Sequence, residues 1–152
     1  MLRISTKGRY ASRVLMDLAL NREKGFVLLK DIAERQGISV GYLEQIIGPL
    51  KASGLVKSNR GSHGGYRLSR EPASVTLREV LTAEEGELSL VECAGTPAVC
   101  ERSGFCATRE VWKRISDELE RSLESVTIQE LADTHKKKLQ RQQAPEPLTY
   151  SI

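Results

Sequence analysis

The sequence predicts a mainly α-helical fold with a small β-wing, and three observations predict it. Residues 6–52 contain three stretches with apolar residues at helical spacing, set apart by Gly25 and Gly37. Two short β-like runs, "LVKSN" at 55–59 and "GYRLS" at 65–69, are joined by the glycine-rich "RGSHG". After residue 106 comes a long helical pattern, "ATREVWKRISDELERSLESV". Helix, turn, helix and hairpin in that order make a winged helix-turn-helix, followed here by one long further helix.

The first helix spans Thr6 to Asn21, where Tyr10, Val14, Leu15, Leu18 and Ala19 form its apolar stripe, and Gly25 stops it. "LKDIAERQ" at 29–36 is a short amphipathic helix that Gly37 ends. Ser39 is a good N-cap for the next helix, with Tyr42, Leu43, Ile46, Ile47 and Leu50 on one face. Pro49 removes a backbone donor inside that helix and is expected to kink or weaken it. In the long helix after Cys106, Val111, Trp112, Ile115, Leu119, Leu123 and Val126 form a continuous stripe. It suits either packing on its own domain or pairing with a second copy, and its length and regularity favour pairing. Thr127 and Glu130 carry the spacing of a capping box for a last helix. The organisation expected is a DNA-binding domain at 1–82, a cysteine-bearing loop at 83–106, a dimerisation helix with its following helix at 107–140, and a flexible tail at 141–152.

Charge divides the chain. The net is +3 overall, yet residues 1–70 hold 13 Lys and Arg against 5 Asp and Glu, a net of +8. Residues 71–152 hold 10 against 15, a net of −5. Such a split suits a first half that faces a polyanion, although a well-solvated basic surface has the same composition. Arg13 and Asp17 interrupt the apolar run that a secretion signal would need, and no stretch is apolar enough to cross a bilayer. A cytoplasmic protein is expected, with no membrane partner. Neither a base–nucleophile pair nor a phosphate-binding glycine loop is present, so an enzyme is not expected.

In a helix-turn-helix the second helix enters the major groove of duplex DNA with its N-terminal residues near base edges. That selects Ser39, Gly41, Tyr42, Glu44 and Gln45. Gln45 can read adenine, and Glu44 can accept from cytosine or repel every other base; a solvent-facing Glu44 is the plain alternative. Arg60 on the wing, beside Gly61, Gly64, Gly65 and Tyr66, suits a narrow minor groove. Lys7, Arg9, Lys51, Lys57 and Arg67 are candidate phosphate contacts. His63, also on the wing, reads as an exposed loop histidine.

All three cysteines lie in "CAGTPAVCERSGFC" at 93–106. Cys93-x6-Cys100-x5-Cys106 is not the paired spacing of a zinc ribbon, and an odd count argues against a disulfide framework. A loop opened by Gly95, Pro97 and Gly104 could wrap an iron–sulfur cluster, bind zinc, or carry reactive or inert thiols.

Taken together, "RISTKGRYASRVLMDLAL", "ISVGYLEQIIGPLKASGLVKSNRGSHGGYRLS", the three-cysteine loop and "ATREVWKRISDEL" resemble the Rrf2 family of bacterial transcription regulators, and within it the iron–sulfur cluster regulator branch. The resemblance covers residues 2 to 132. It implies a homodimer that binds a double-stranded DNA operator. It also implies a cluster, 2Fe–2S in preference to 4Fe–4S, held by Cys93, Cys100 and Cys106, and target genes for cluster assembly. Ser39, Glu44, Gln45 and Arg60 match its DNA-reading positions. One departure stands out: Arg109 occupies the place where a histidine fourth ligand is found, and a cation does not bind iron. The fourth ligand is therefore open, with Glu101, Glu110, a residue of the second copy or an exogenous ligand as candidates. Within the same family, a cluster-free regulator that senses a thiol metabolite or cysteine oxidation is the alternative.

Overall fold

The structure, a computed structural model, describes residues 3–143. Among these described residues, seven α-helices and one two-stranded sheet follow the chain in order: α1 (Thr6–Leu20), α2 (Leu29–Gln36), α3 (Val40–Ala52), β1 (Val56–Asn59), β2 (Gly65–Leu68), α4 (Leu77–Glu85), α5 (Glu92–Gly95), α6 (Ala107–Ser125) and α7 (Ile128–Gln143). This is the mostly helical, winged architecture expected. β1 and β2 pair antiparallel, with Val56 opposite Leu68 and Asn59 opposite Gly65.

Local chemistry sets the boundaries. Ser5 caps α1 by accepting from the Gly8 amide at 3.0 Å, and Gly37, at φ 62°, closes α2 in the left-handed conformation that glycine adopts without penalty. Ser39 caps α3 by accepting from the Tyr42 amide. Pro49 does not interrupt α3, which runs on to Ala52. The carbonyl left without its donor belongs to Gln45, an exposed residue that water can serve. Gly48, lacking a Cβ, relieves the clash that proline imposes on its predecessor.

The core lies where α1, α2, α3, the strands, α4 and the start of α7 meet. Val14, Leu15, Leu18, Ile32, Leu43, Ile46, Leu50, Val80 and Ile128 are buried there. Burying a side chain of this size stabilises by roughly 1.5–3 kcal/mol, so α3 is held by its apolar face and not by propensity. α7 belongs to this core through Ile128, Leu131 and Ala132. Its start is tied to the chain ahead of α4, the Leu77 amide donating to Val126 O at 2.8 Å and the Ile128 amide to Val75 O at 2.9 Å. Thr127 accepts from the Glu130 amide at 3.2 Å, one half of the expected capping box. α7 continues to Gln143, so residues 141–143 of the expected tail are helical, and residues 144–152 lie outside the described residues.

A full capping box forms elsewhere. Thr76 Oγ1 accepts from the Glu79 amide at 3.3 Å, and the Glu79 carboxylate accepts from the Thr76 amide at 2.9 Å. Thr76→Ala leaves a first-turn amide without its partner, and a loss of about 1 kcal/mol is expected in urea denaturation. An unchanged midpoint would show that water serves that amide equally well.

Candidate functional site

The two faces of α3 differ completely. Leu43, Ile46, Ile47 and Leu50 are buried, while Gly41, Glu44, Gln45, Gly48 and Lys51 are exposed at spacings of three and four. Ser39 is exposed at the entrance to the helix, its hydroxyl oxygen engaged as the cap. Tyr42 departs from this group. It is half-buried and meets the Tyr10 ring of α1 edge-on, with centroids 5.8 Å apart and planes at 88°. Lys7 and Arg9 stand exposed in the first turn of α1, and Arg9 donates to Thr6 Oγ1 at 3.2 Å.

The wing has an exposed tip and an anchored base. Arg60, Gly61, Ser62 and His63 are exposed, and the Arg60 amide donates to Asn59 Oδ1 at 3.0 Å. Lys57 and Arg67 are exposed as well; the Arg67 guanidinium lies 4.7 Å from the centroid of the Phe26 ring. At the base, Tyr66 exchanges two backbone hydrogen bonds with Val27, each 2.8 Å. Gly64 is buried, and a Cβ there would come within 2.9 Å of the Asn59 and Gly61 carbonyls. Gly64 and Gly65 are thus required by the packing of the wing itself. Sequence reasoning placed them only among the DNA-contacting residues.

The cysteines are spread over successive turns of one segment. Cys93 lies in α5, Cys100 follows the short turn Pro97–Val99, and Cys106 is the last residue before α6. All three are free and half-buried. Two polar contacts fasten the segment to α6. Arg109 Nε donates to Cys93 O at 2.7 Å, so this residue ties the Cys93 turn to α6 as a clamp. The Leu90 amide donates to Ser116 Oγ at 3.0 Å, and this hydroxyl, buried on α6, donates in turn to Trp112 O. The Thr108 hydroxyl, 3.2 Å from the Cys106 sulfur, together with the Arg109 backbone amide, holds that thiol below its ordinary value. Glu101 and Glu110 are exposed.

Three thiols in one segment, one of them biased toward the thiolate, form a donor set that suits soft or borderline metals and iron–sulfur clusters. Their placement is open, however: among the described residues no three His, Cys, Asp or Glu side chains stand together in a group that could hold a metal ion. The donors fit such a group chemically, and gathering them requires the segment to close.

α6 carries the apolar stripe in two parts. Leu119 and Leu123 are half-buried, and Arg78 of α4 bonds Glu120 at 2.7 Å beside them. Val111, Trp112 and Ile115 are exposed, and Phe105, just ahead of the helix, is 73 % exposed. No helix among the described residues is long and apolar enough to cross a membrane.

Sequence reasoning missed the polar cluster behind the helix-turn-helix. Asp17 of α1 is 2 % exposed. Its carboxylate accepts from Arg35 at 2.7 and 2.9 Å and from Gln36 Nε2 at 2.9 Å. The available signal was an aspartate three residues after Val14 on the buried stripe, which must find a partner.

Comparison with known proteins gives a consistent result. The family described as "Rrf2: Iron-dependent Transcriptional regulator" matches residues 4–134. The HTH-type transcriptional regulator IscR of Escherichia coli O1:K1 is 41% identical over 132 residues, covering 87% of this chain and 81% of that protein. Among solved structures, CymR, the global cysteine regulator of B. subtilis, is similar with a TM-score of 0.73 at 41% identity, over 88% of this chain and 98% of that one. IscR of T. potens is similar with a TM-score of 0.71 at 36% identity, over 99% of this chain and 97% of that one.

Proposed function

Because the chain belongs to the Rrf2 family of iron-dependent transcriptional regulators, we propose that it is a homodimeric DNA-binding regulator whose operator binding is controlled by an iron–sulfur cluster held at Cys93, Cys100 and Cys106. The observation that carries this reading is the three-thiol segment clamped by Arg109 and Ser116 to α6, the helix with the unpartnered face. Bound, a cluster of the 2Fe–2S type supplies a group whose presence depends on iron and on redox conditions. The rest is the work of this chain. Val111, Trp112 and Ile115 pack against their copies in a second subunit, which fixes the spacing of two α3 helices. Ser39, Gly41, Glu44 and Gln45 face base edges, Arg60 enters the minor groove, and Lys7, Arg9, Lys51, Lys57 and Arg67 hold phosphates. The genes controlled are those for cluster assembly, and the compartment is the cytoplasm. In this reading residues 1–82 bind DNA, 83–106 hold the cluster and α6 forms the dimer; α7 packs back on α1.

A second reading has its own support. The Cys106 thiol is held below its ordinary value beside Thr108, and the similar CymR is described as a cysteine regulator. In that reading the thiols answer to oxidation or to a thiol metabolite, without a cluster.

Purification without oxygen separates the two. The first reading expects coloured protein with iron and acid-labile sulfide in equal amounts, about two of each per chain for a 2Fe–2S cluster. Cys100→Ala should lose both and keep the helical signal and the dimer mass. Duplex binding should weaken steeply as salt rises, with log K falling by about 0.9 per phosphate contact for each decade of salt. Protein that stays colourless and iron-free after anaerobic reconstitution overturns the first reading and leaves the second.

A further inference from the structure

Behind the exposed face of α3 lies a continuous set of contacts that begins in α1. The Arg13 guanidinium sits 5.2 Å from the centroid of the Tyr10 ring. Tyr10 in turn meets Tyr42, in the first turn of α3, edge-on at 5.8 Å. From its other side Arg13 holds Gln36, the last residue of α2: Nη2 donates to the Gln36 carbonyl, and Nε donates to Gln36 Oε1 at 3.2 Å. Gln36 then reaches Asp17 with its amide nitrogen at 2.9 Å. One side chain of α1 therefore grips the end of α2 and, through Tyr10, the start of α3, on both sides of the turn at Gly37.

We propose that Arg13 is a positioning residue for sequence reading: it touches no DNA and sets the angle at which the exposed first turns of α3 meet the bases. The inference rests on the reading of α3 as the recognition helix. Three physical points support it. A carbonyl in the last turn of a helix has no intrahelical partner, and an arginine fork fixes its direction as well as satisfying it. Arg13 is half-buried and its guanidinium bonds Gln36 on a different helix, whereas Lys7 and Arg9 are exposed and Arg9 bonds Thr6 within its own first turn. Hydrogen bonds to base edges weaken steeply with misalignment, whereas long lysine and arginine side chains follow a phosphate that shifts slightly. A small tilt of α3 therefore costs sequence-specific affinity and spares general affinity for duplex. Tyr42, expected to contact DNA, acts in this arrangement as the anchor point of the helix.

The test needs a duplex of defined sequence, which the wild-type chain itself selects from a random double-stranded pool. Affinity for that duplex and for poly(dI–dC) is then measured across a salt series for wild type, Arg13→Met, Tyr10→Leu and Tyr10→Phe. Arg13→Met and Tyr10→Leu should each lose about tenfold on the selected duplex, the scale of one base contact. Both should stay within about twofold on poly(dI–dC), with the salt dependence unchanged. Tyr10→Phe keeps the ring and should behave as wild type. Tyr10→Leu removes none of the cluster's hydrogen bonds, so it carries the test if Arg13→Met folds poorly. A salt slope smaller by about one in Arg13→Met identifies Arg13 as a phosphate contact and overturns the proposal. Equal losses on both duplexes, or no loss on either, overturn it too. A wild-type chain that enriches no sequence refutes the reading of α3 and takes this inference with it, an outcome seen before any variant is compared.

Discussion

Asp17→Ala is expected to destabilise the fold by about 3 kcal/mol or more, one of the largest losses available to a single substitution outside the apolar core. Asp17 is an acidic side chain only 2 % exposed, and donors from α2 converge on its carboxylate. Arg35 Nε and Nη2 meet its two oxygens at 2.9 and 2.7 Å, Gln36 adds a third bond, and Asn21 donates to the Asp17 carbonyl and lies near the carboxylate. The hydrogen bonds that Arg35 donates to Asp17 are also the foremost reason that its guanidinium holds its proton more tightly than usual. Removing the carboxylate leaves a cation and an amide pointing into a space that alanine does not fill. The Arg35 side chain is 35 % exposed and can turn to water, which keeps the expected loss near the lower end of the range for broken buried pairs. Arg35→Ala makes the complementary error, a buried carboxylate short of its cation. The double variant should therefore cost less than the sum of the two singles. Urea denaturation of the three variants settles the matter. A loss below about 1 kcal/mol for Asp17→Ala would mean that water reaches the site and the pair is ornamental.

That cluster also shows where reading from sequence stops. The boundaries of α2 were legible to the residue, because an amphipathic run ended at a glycine that takes φ 62°. The buried residues of α3 were legible too, since Leu43, Ile46, Ile47 and Leu50 repeat at helical spacing. Arg13 and Asp17 registered only as charges interrupting an apolar stretch. Their partners on α2 stand 18 to 23 positions away, and no local pattern links them. Pro49 misled in the other direction: proline is a strong local signal, but Gly48 precedes it and Gln45, whose carbonyl loses its donor, lies on the exposed face of the helix. On α6 the apolar stripe was plain. Its division was not, because only the packing decides that Leu119 and Leu123 are half-buried while Val111, Trp112 and Ile115 stay open. In the cysteine segment the three thiols were evident from spacing, whereas the clamps depend on Arg109 and Ser116, two positions with no distinctive local signature.

Gly65→Ala is the second large effect, and its origin is close approach at the base of the wing. Gly65 has φ 133°, a conformation that side chains rarely adopt. A Cβ built there would lie 2.4 Å from Val27 O and 2.6 Å from Val27 C, both backbone atoms that cannot swing aside. Two losses follow. The backbone strain is of the order of 1–3 kcal/mol. Relieving the clash by separating the strand from Val27 gives up two backbone bonds, each contributing about 0.5–1.5 kcal/mol. A total of about 3 kcal/mol is expected, with the Val27 and Tyr66 amides losing much of their protection against hydrogen exchange. Gly61→Ala supplies the contrast. Its φ is also positive, at 103°, but nothing lies within 4 Å of the added carbon, so only the backbone strain of about 1–2 kcal/mol remains. If Gly65→Ala were no more costly than Gly61→Ala, and both amides kept their protection, the contact with Val27 would not be what secures the wing. If the expected difference appears, the wing is a hairpin anchored by Val27, and the paired glycines of "RGSHGGY" let backbone segments touch where a side chain would hold them apart.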